Sequence, residues 1–192
     1  MRPAAAAGAD PMTIEVVPRS TSGVFRDATV VYLNGQIDPN ASVRLYRALD
    51  GVDGKILVWL NSPGGNLFAG MELGRILRLR SAWTYIIDSR TLLPGECYSA
   101  CGLAFLGGVR RFSDHGARYG VHRASLRASP STGARDLAPE LSAAISSYIQ
   151  QMGVDVRLLD LWKRAAPDEM YVLSRQELED LRVVKDGAQW PE

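Results

Sequence analysis

The chain is poor in cysteine, histidine and lysine, carries almost no net charge and has no long apolar run. Each shortage removes a class of function. Two cysteines cannot build a disulfide-framework domain. There are two histidines, His115 and His122, with no acidic cluster beside them. Cys97, Cys101, His115 and His122 would have to serve zinc from Cys-x3-Cys and His-x6-His spacings, which is not a usual zinc arrangement; no metal or cofactor is expected. Lys55, Lys163 and Lys185 are the only lysines, and no glycine loop ends in the Lys-Ser/Thr of a phosphate cradle. The 22 basic and 21 acidic residues leave +1, so nothing points to nucleic acid or an anionic membrane. No apolar stretch approaches the roughly 18 residues of a membrane span. The opening Met1-Arg2-Pro3-Ala4 is too polar and broken for a secretory signal, which gives a cytoplasmic expectation; the periplasm is the alternative if this is a trimmed mature form.

What is present suits one globular domain. The 192 residues are 46% hydrophobic and 22% charged, enough for a substantial core. Residues 1–12 read as a disordered leader and 13–192 as the domain. Short β-branched runs at Ala28–Leu33, Lys55–Leu60 and Trp83–Asp88 read as buried strands. They alternate with helical patterns after Pro39-Asn40, with Val43, Tyr46 and Leu49 on one face, and at Leu67–Leu79, with Phe68, Met71, Ile76 and Leu77 as core. This rhythm predicts an α/β domain with a mostly parallel sheet covered by helices. Further helices are expected at Ser99–Leu106, Leu137–Met152, Val154–Ala165 and Arg175–Leu181. Strands are expected at Arg110–Ser113 and Arg118–His122, and a loop at Ala124–Asp136.

Three segments can carry chemistry. In Gly95-Glu96-Cys97-Tyr98-Ser99-Ala100-Cys101-Gly102, a serine opens an apolar helix, where free N–H groups and the helix dipole favour an oxyanion. A plain N-cap serine is the commoner explanation of such a residue. Ser62-Pro63-Gly64-Gly65 follows a buried strand, at the end where open α/β sheets bind ligands; it also fits an ordinary turn. His122 ends a strand. A lone histidine there is more often packed than catalytic, yet a serine hydrolase needs one such imidazole.

Together these segments resemble the Clp protease proteolytic subunit of the Clp/crotonase superfamily, from about Thr29 to Val184. The resemblance rests on Asn34-Gly35-Gln36-Ile37, on Leu60-Asn61-Ser62-Pro63-Gly64-Gly65 with Ala69-Gly70-Met71, and on Gly95 and Gly108 around Ser99. Arg111-Phe112, Val121-His122 and Leu173-Ser174 with Glu177 complete it. It implies a Clp/crotonase-like fold and a serine-type endopeptidase acting on peptide or unfolded polypeptide. Ser99 would be the nucleophile and His122 the general base. The N–H groups of Gly65 and Ala100 would form the oxyanion hole, and Gly64 and Gly65 would hold the substrate strand. A homo-oligomer is also implied, with the apolar stripe of Leu137–Met152 as its physical motive unless that stripe faces its own sheet.

Four departures qualify these implications. The family's catalytic acid falls near Ala166, so Asp168 serves only as a displaced third member; a Ser–His dyad or a weakened, non-catalytic scaffold are the alternatives. Cys97 and Cys101 stand where the family has small residues. They are free thiols if both are helical, and a clamp on the serine's turn if Cys97 belongs to a preceding turn. The region before Ala28 lacks the family's axial-loop segment, which speaks against docking to an unfoldase ATPase. Arg182 replaces a helix-ending glycine. A Ser–Lys peptidase resembling signal peptide peptidase A, with Lys163 as base, is a further alternative, and acyl-thioester chemistry of the crotonase branch another.

Overall fold

A computed structural model describes residues 10–19, 27–123, 139–166 and 168–185. A six-stranded sheet is built from β1 (Thr13–Val17), β2 (Ala28–Asn34), β3 (Lys55–Asn61), β4 (Trp83–Asp88), β5 (Leu93–Pro94) and β7 (Arg110–Phe112). β2, β3, β4 and β7 run parallel; β1 and β5 add antiparallel edges. A three-stranded sheet holds β6 (Glu96–Tyr98), β8 (Arg118–Val121) and β9 (Tyr171–Val172) in that order. The helices are α1 (Ala41–Ala48), α2 (Leu67–Leu79), α3 (Ala100–Leu106), α4 (Pro139–Gln151), α5 (Leu158–Trp162) and α6 (Arg175–Asp180).

The α/β class and its parallel centre are as the sequence implies, and the physical reason is double-sided burial. Val31, Leu33, Val58, Leu60 and Ile86 face the helices within the main core. Their alternates Val30, Leu57, Trp59, Tyr85 and Phe112 form a second cluster on the opposite face. Strands buried on both faces cannot alternate apolar with polar, hence the unbroken hydrophobic runs.

Several expectations need correction. The domain begins before residue 13. Met12 is buried, donates its N–H to Gln36 O at 2.7 Å, and its carbonyl accepts from Arg44 at 2.8 Å. Residues 1–9 and the loop expected at Ala124–Asp136 lie outside the described residues. Phe68, Val43 and Tyr46 are exposed. On α1 it is Ala41 and Leu45, followed by Leu49, that reach the core. The helix expected over Val154–Ala165 is ordered as α only from Leu158 to Trp162. The stripe on α4 is covered by its own chain, with Ile145, Tyr148 and Ile149 fully buried, which removes the motive given for an oligomer.

Two devices place the helices. Gly70 and Gly74 bring α2 against α3 backbone to backbone: a methyl on Gly70 would fall 2.5 Å from the Ala100 carbonyl oxygen. Arg111, buried, donates to the carbonyls of Leu106, Gly108, Met152, Arg182 and Val183. These oxygens lie at or just beyond the C-terminal ends of α3, α4 and α6, where partial negative charge collects. Arg182, which stands in place of a helix-ending glycine, takes the left-handed conformation (φ 57°), at a cost of about 1–2 kcal/mol for a residue with a Cβ. Its carbonyl there accepts from the Arg111 guanidinium at 2.7 Å, a charge-assisted bond that offsets the strain.

Candidate active site

The site forms where the carboxyl ends of β2 and β3 meet the second sheet. Asn61 and Ser62 stitch the two together. Asn61 Oδ1 accepts from Glu96 N at 3.0 Å, Ser62 N donates to Glu96 O at 2.7 Å, and Tyr98 N donates to Ser62 O at 3.0 Å. The Ser62-Pro63-Gly64-Gly65 loop is thereby fixed against β6. Its glycines are obligatory. Gly64 (φ 94°) has no room for a methyl, which would lie 2.5 Å from Tyr98 O and 2.8 Å from Ser99 Cβ. Gly65 (φ 140°) would drive one into the Ile37 carbonyl. Ile37 N donates to Gly64 O at 2.8 Å, so the loop is held from both sides.

Ser99 stands between β6 and α3 with φ 56° and ψ −121°. That is the first central position of a mirror-image turn, ordinarily given to glycine. A serine there costs on the order of 1–3 kcal/mol and marks a site where geometry is imposed by the surroundings. Ser99 makes no side-chain capping bond, so the plain N-cap explanation fails. Every residue from Cys97 to Gly108 is buried except Ser99, which is half-exposed. Its own N–H is tied to Gly120 O at 2.8 Å. Ala100 opens α3, where N–H groups lack intrahelical acceptors. Among the described residues, neither Ala100 N–H nor Gly65 N–H has a backbone acceptor.

The register of β6 on β8 pairs Cys97 with Tyr119 and Tyr98 with Gly120, in parallel. Ser99 and His122 therefore emerge together from the same end of adjacent strands. His122 is half-buried, and its Nδ1 lies 2.9 Å from the carbonyl oxygen of Arg123. A carbonyl only accepts, so in the neutral ring Nδ1 carries the proton and Nε2 keeps its lone pair, the tautomer a general base requires. Burial lowers the imidazole pKa from its ordinary 6.5, partly opposed by the Arg123 carbonyl. The ring is thus neutral near pH 7.

Among the described residues, no carboxylate is bonded to His122. Arg123 N donates to Ala165 O at 3.1 Å, so the segment at Ala165 and Ala166 lies beside the histidine, where the resemblance expects an acid. Asp168 is exposed on the turn that follows. Lys163 is two-thirds exposed and paired with Asp160 at 3.2 Å. His115 is exposed in a turn away from this cluster. Cys97 and Cys101 are joined in a disulfide with Cα atoms 5.1 Å apart. Cys97 is therefore not helical, and neither sulfur is available as a thiolate ligand. The described residues contain no cluster of three or more potential metal ligands. The Arg123 carbonyl is the component that sequence reasoning missed; a backbone acceptor leaves no residue-type signal.

No family model matches the chain, and no curated protein matches it significantly. Solved structures do. A serine-to-alanine mutant of the 1510-N membrane-bound stomatin-specific protease superposes with a TM-score of 0.61 at 17% identity, covering 82% of this chain and 76% of that one. The lysine-to-alanine mutant of that protease, in complex with a substrate peptide, gives 0.59 at 19% identity, covering 82% and 72%. At these identities the likeness establishes the Clp/crotonase-like fold.

Proposed function

We propose that the protein is a serine peptidase that cleaves internal peptide bonds through a Ser99 acyl-enzyme, with His122 as general base. The observation that carries this reading is Ser99 itself: a half-exposed hydroxyl at positive φ on a strand-to-helix turn, with a neutral histidine just past the same end of the adjoining strand. Strained strand–turn–helix serines of this kind present a nucleophile clear of its own backbone. In the reaction, His122 Nε2 takes the Ser99 proton as Oγ attacks the carbonyl carbon. The oxyanion receives the N–H groups of Gly65 and Ala100. His122 returns the proton to the leaving amine, and water, deprotonated by the same nitrogen, releases the acyl group. Asp168 plays no direct part; the Arg123 carbonyl orients the ring in place of a carboxylate.

The peptide bound to a solved relative of the fold supports a peptide substrate. Kinship with the Clp proteolytic subunit rests on the glycine loop, the serine turn and the Ser174–Glu177 capping box that opens α6. A homo-oligomer without an unfoldase partner follows from that kinship and from the chain's mismatch before Ala28. The disulfide favours the periplasm over the cytoplasm.

A second reading, the Ser–Lys peptidase, is favoured by the lysine mutant named for the same relative. Against it stand the solvated pairing of Lys163 and the position of Lys55 at the start of β3, opposite the site. A fluorophosphonate probe tests the proposal: wild type labels, and Ser99→Ala and His122→Ala do not. Unlabelled, folded wild type would favour the non-catalytic scaffold.

A further inference from the structure

The disulfide brackets the serine. Cys97 lies two residues before Ser99 on β6, Cys101 two after it on α3, and both are wholly buried. A strand and a helix that meet at one residue must turn sharply there, and a residue with a Cβ resists the positive φ this demands. Some of the holding force is visible elsewhere. Ser99 N is tied to Gly120 O, Gly102 N donates to Ser99 O at 2.9 Å, and Gly64 packs against the turn. These contacts hold the elbow from both its strand and its helix side. The disulfide adds a covalent tie between the incoming strand and the outgoing helix across Ser99.

We infer that the Cys97–Cys101 disulfide is a positioning element for the nucleophile, holding Ser99 in its left-handed conformation so that the active geometry exists only in the oxidised chain. The inference rests on the reading of Ser99 as nucleophile. Formation is by thiol–disulfide exchange: the two thiols and one small-molecule disulfide, such as glutathione disulfide, give the cystine and two equivalents of the small thiol. The two protons pass to the departing thiolates. Once folded, neither sulfur is open to attack by an external thiolate, because exchange requires access to the disulfide. The bond is set during folding rather than toggled afterwards, and the enzyme matures where disulfides form.

The test compares chain refolded with glutathione disulfide, chain refolded under a dithiol reductant, and the Cys97→Ala/Cys101→Ala variant. Labelling of oxidised wild type but not of oxidised Ser99→Ala first establishes the nucleophile; failure at this step overturns the functional reading and with it this inference. In folded, disulfide-free protein the maximal labelling rate is expected to fall at least tenfold, while the pH midpoint set by His122 and the probe's half-saturating concentration stay in place. A purely stabilising bond would leave that rate unchanged in the folded fraction, and a rate within twofold of oxidised wild type overturns the proposal. Should the cysteine-free variant not fold, Ser99→Gly decides. It is expected to raise the Tm of the oxidised chain by about 2–4 °C more than that of the reduced chain, because only the oxidised chain is held in the costly conformation. Equal shifts overturn the proposal.

Discussion

His122 Nδ1 and the carbonyl oxygen of Arg123 sit 2.9 Å apart, so the imidazole is oriented by the backbone of its own neighbour. A serine peptidase that loses an orienting carboxylate can lose roughly 10⁴-fold in rate. Here the orienting acceptor is neutral and no substitution of a side chain can delete it. Asp168→Ala is therefore expected to change the labelling rate by less than about threefold, against the loss of about 10⁴ that a true triad acid would produce.

The same environment sets a pH dependence. Burial disfavours the imidazolium, so the folded pKa lies below 6.5. The base is active when deprotonated, so the labelling rate should rise with pH through a midpoint below 6.5 and be flat above it. Stability has the same sign. Below 6.5 the unfolded chain binds a proton that the folded one resists, so this contribution is complete above 6.5 and is lost as pH falls through the folded pKa. A rate profile with its midpoint above 6.5 would contradict the assignment.

Gly64→Ala addresses the loop that backs the nucleophile. The added methyl meets Tyr98 O and Ser99 Cβ, and the loop must move or the serine must. Displacement of a reacting group by about 1 Å can cost around 100-fold, and that is the expected fall in labelling. The accompanying destabilisation, read from urea unfolding, should be about 1–3 kcal/mol from the backbone conformation alone.

Lys163→Ala separates the two candidate bases. Its ammonium is paired with Asp160 in solvent, so labelling should be unchanged and stability should shift by less than about 1 kcal/mol. Abolished labelling would establish the Ser–Lys mechanism instead.

Arg111→Met should be among the most destabilising single changes in the chain. It removes a buried cation from five carbonyl oxygens. Leu106 O and Met152 O keep Arg78 as a donor, but the Gly108, Arg182 and Val183 oxygens lose their guanidinium partner, at about 1–3 kcal/mol each where water cannot reach them. A loss of at least about 3 kcal/mol in chemical denaturation is expected.

Much of this fold was legible. The apolar runs of β2, β3 and β4 and the span of α2 stand out because each is long enough for its burial pattern to repeat. β5, β6 and β9 are two or three residues long, too short for any period, and they are held by the sheets they join. The pairing of Cys97 with Cys101 turned on whether Cys97 is strand or helix, which its β6–β8 partner Tyr119 decides from far along the chain. Phe68 fits the helical stripe of α2, yet in that first turn it is Ala69, Gly70 and Met71 that face the core. Serine, glycines and histidine were readable as a set because their chemistry needs particular residue types. The ring's acceptor was not, because every residue carries a carbonyl.

Arg111 has a consequence for the order in which the chain assembles. Its partners at Leu106 and Gly108 are neighbours in sequence, but Arg182 and Val183 lie more than 70 residues onward. During synthesis the guanidinium therefore waits, only partly neutralised, until the last helix has left the ribosome. The set of carbonyls around Arg111 is complete only once the segment after α6 has been made. The serine's turn, spanned by cysteines four residues apart, can by contrast be linked while the chain beyond α3 is still to come.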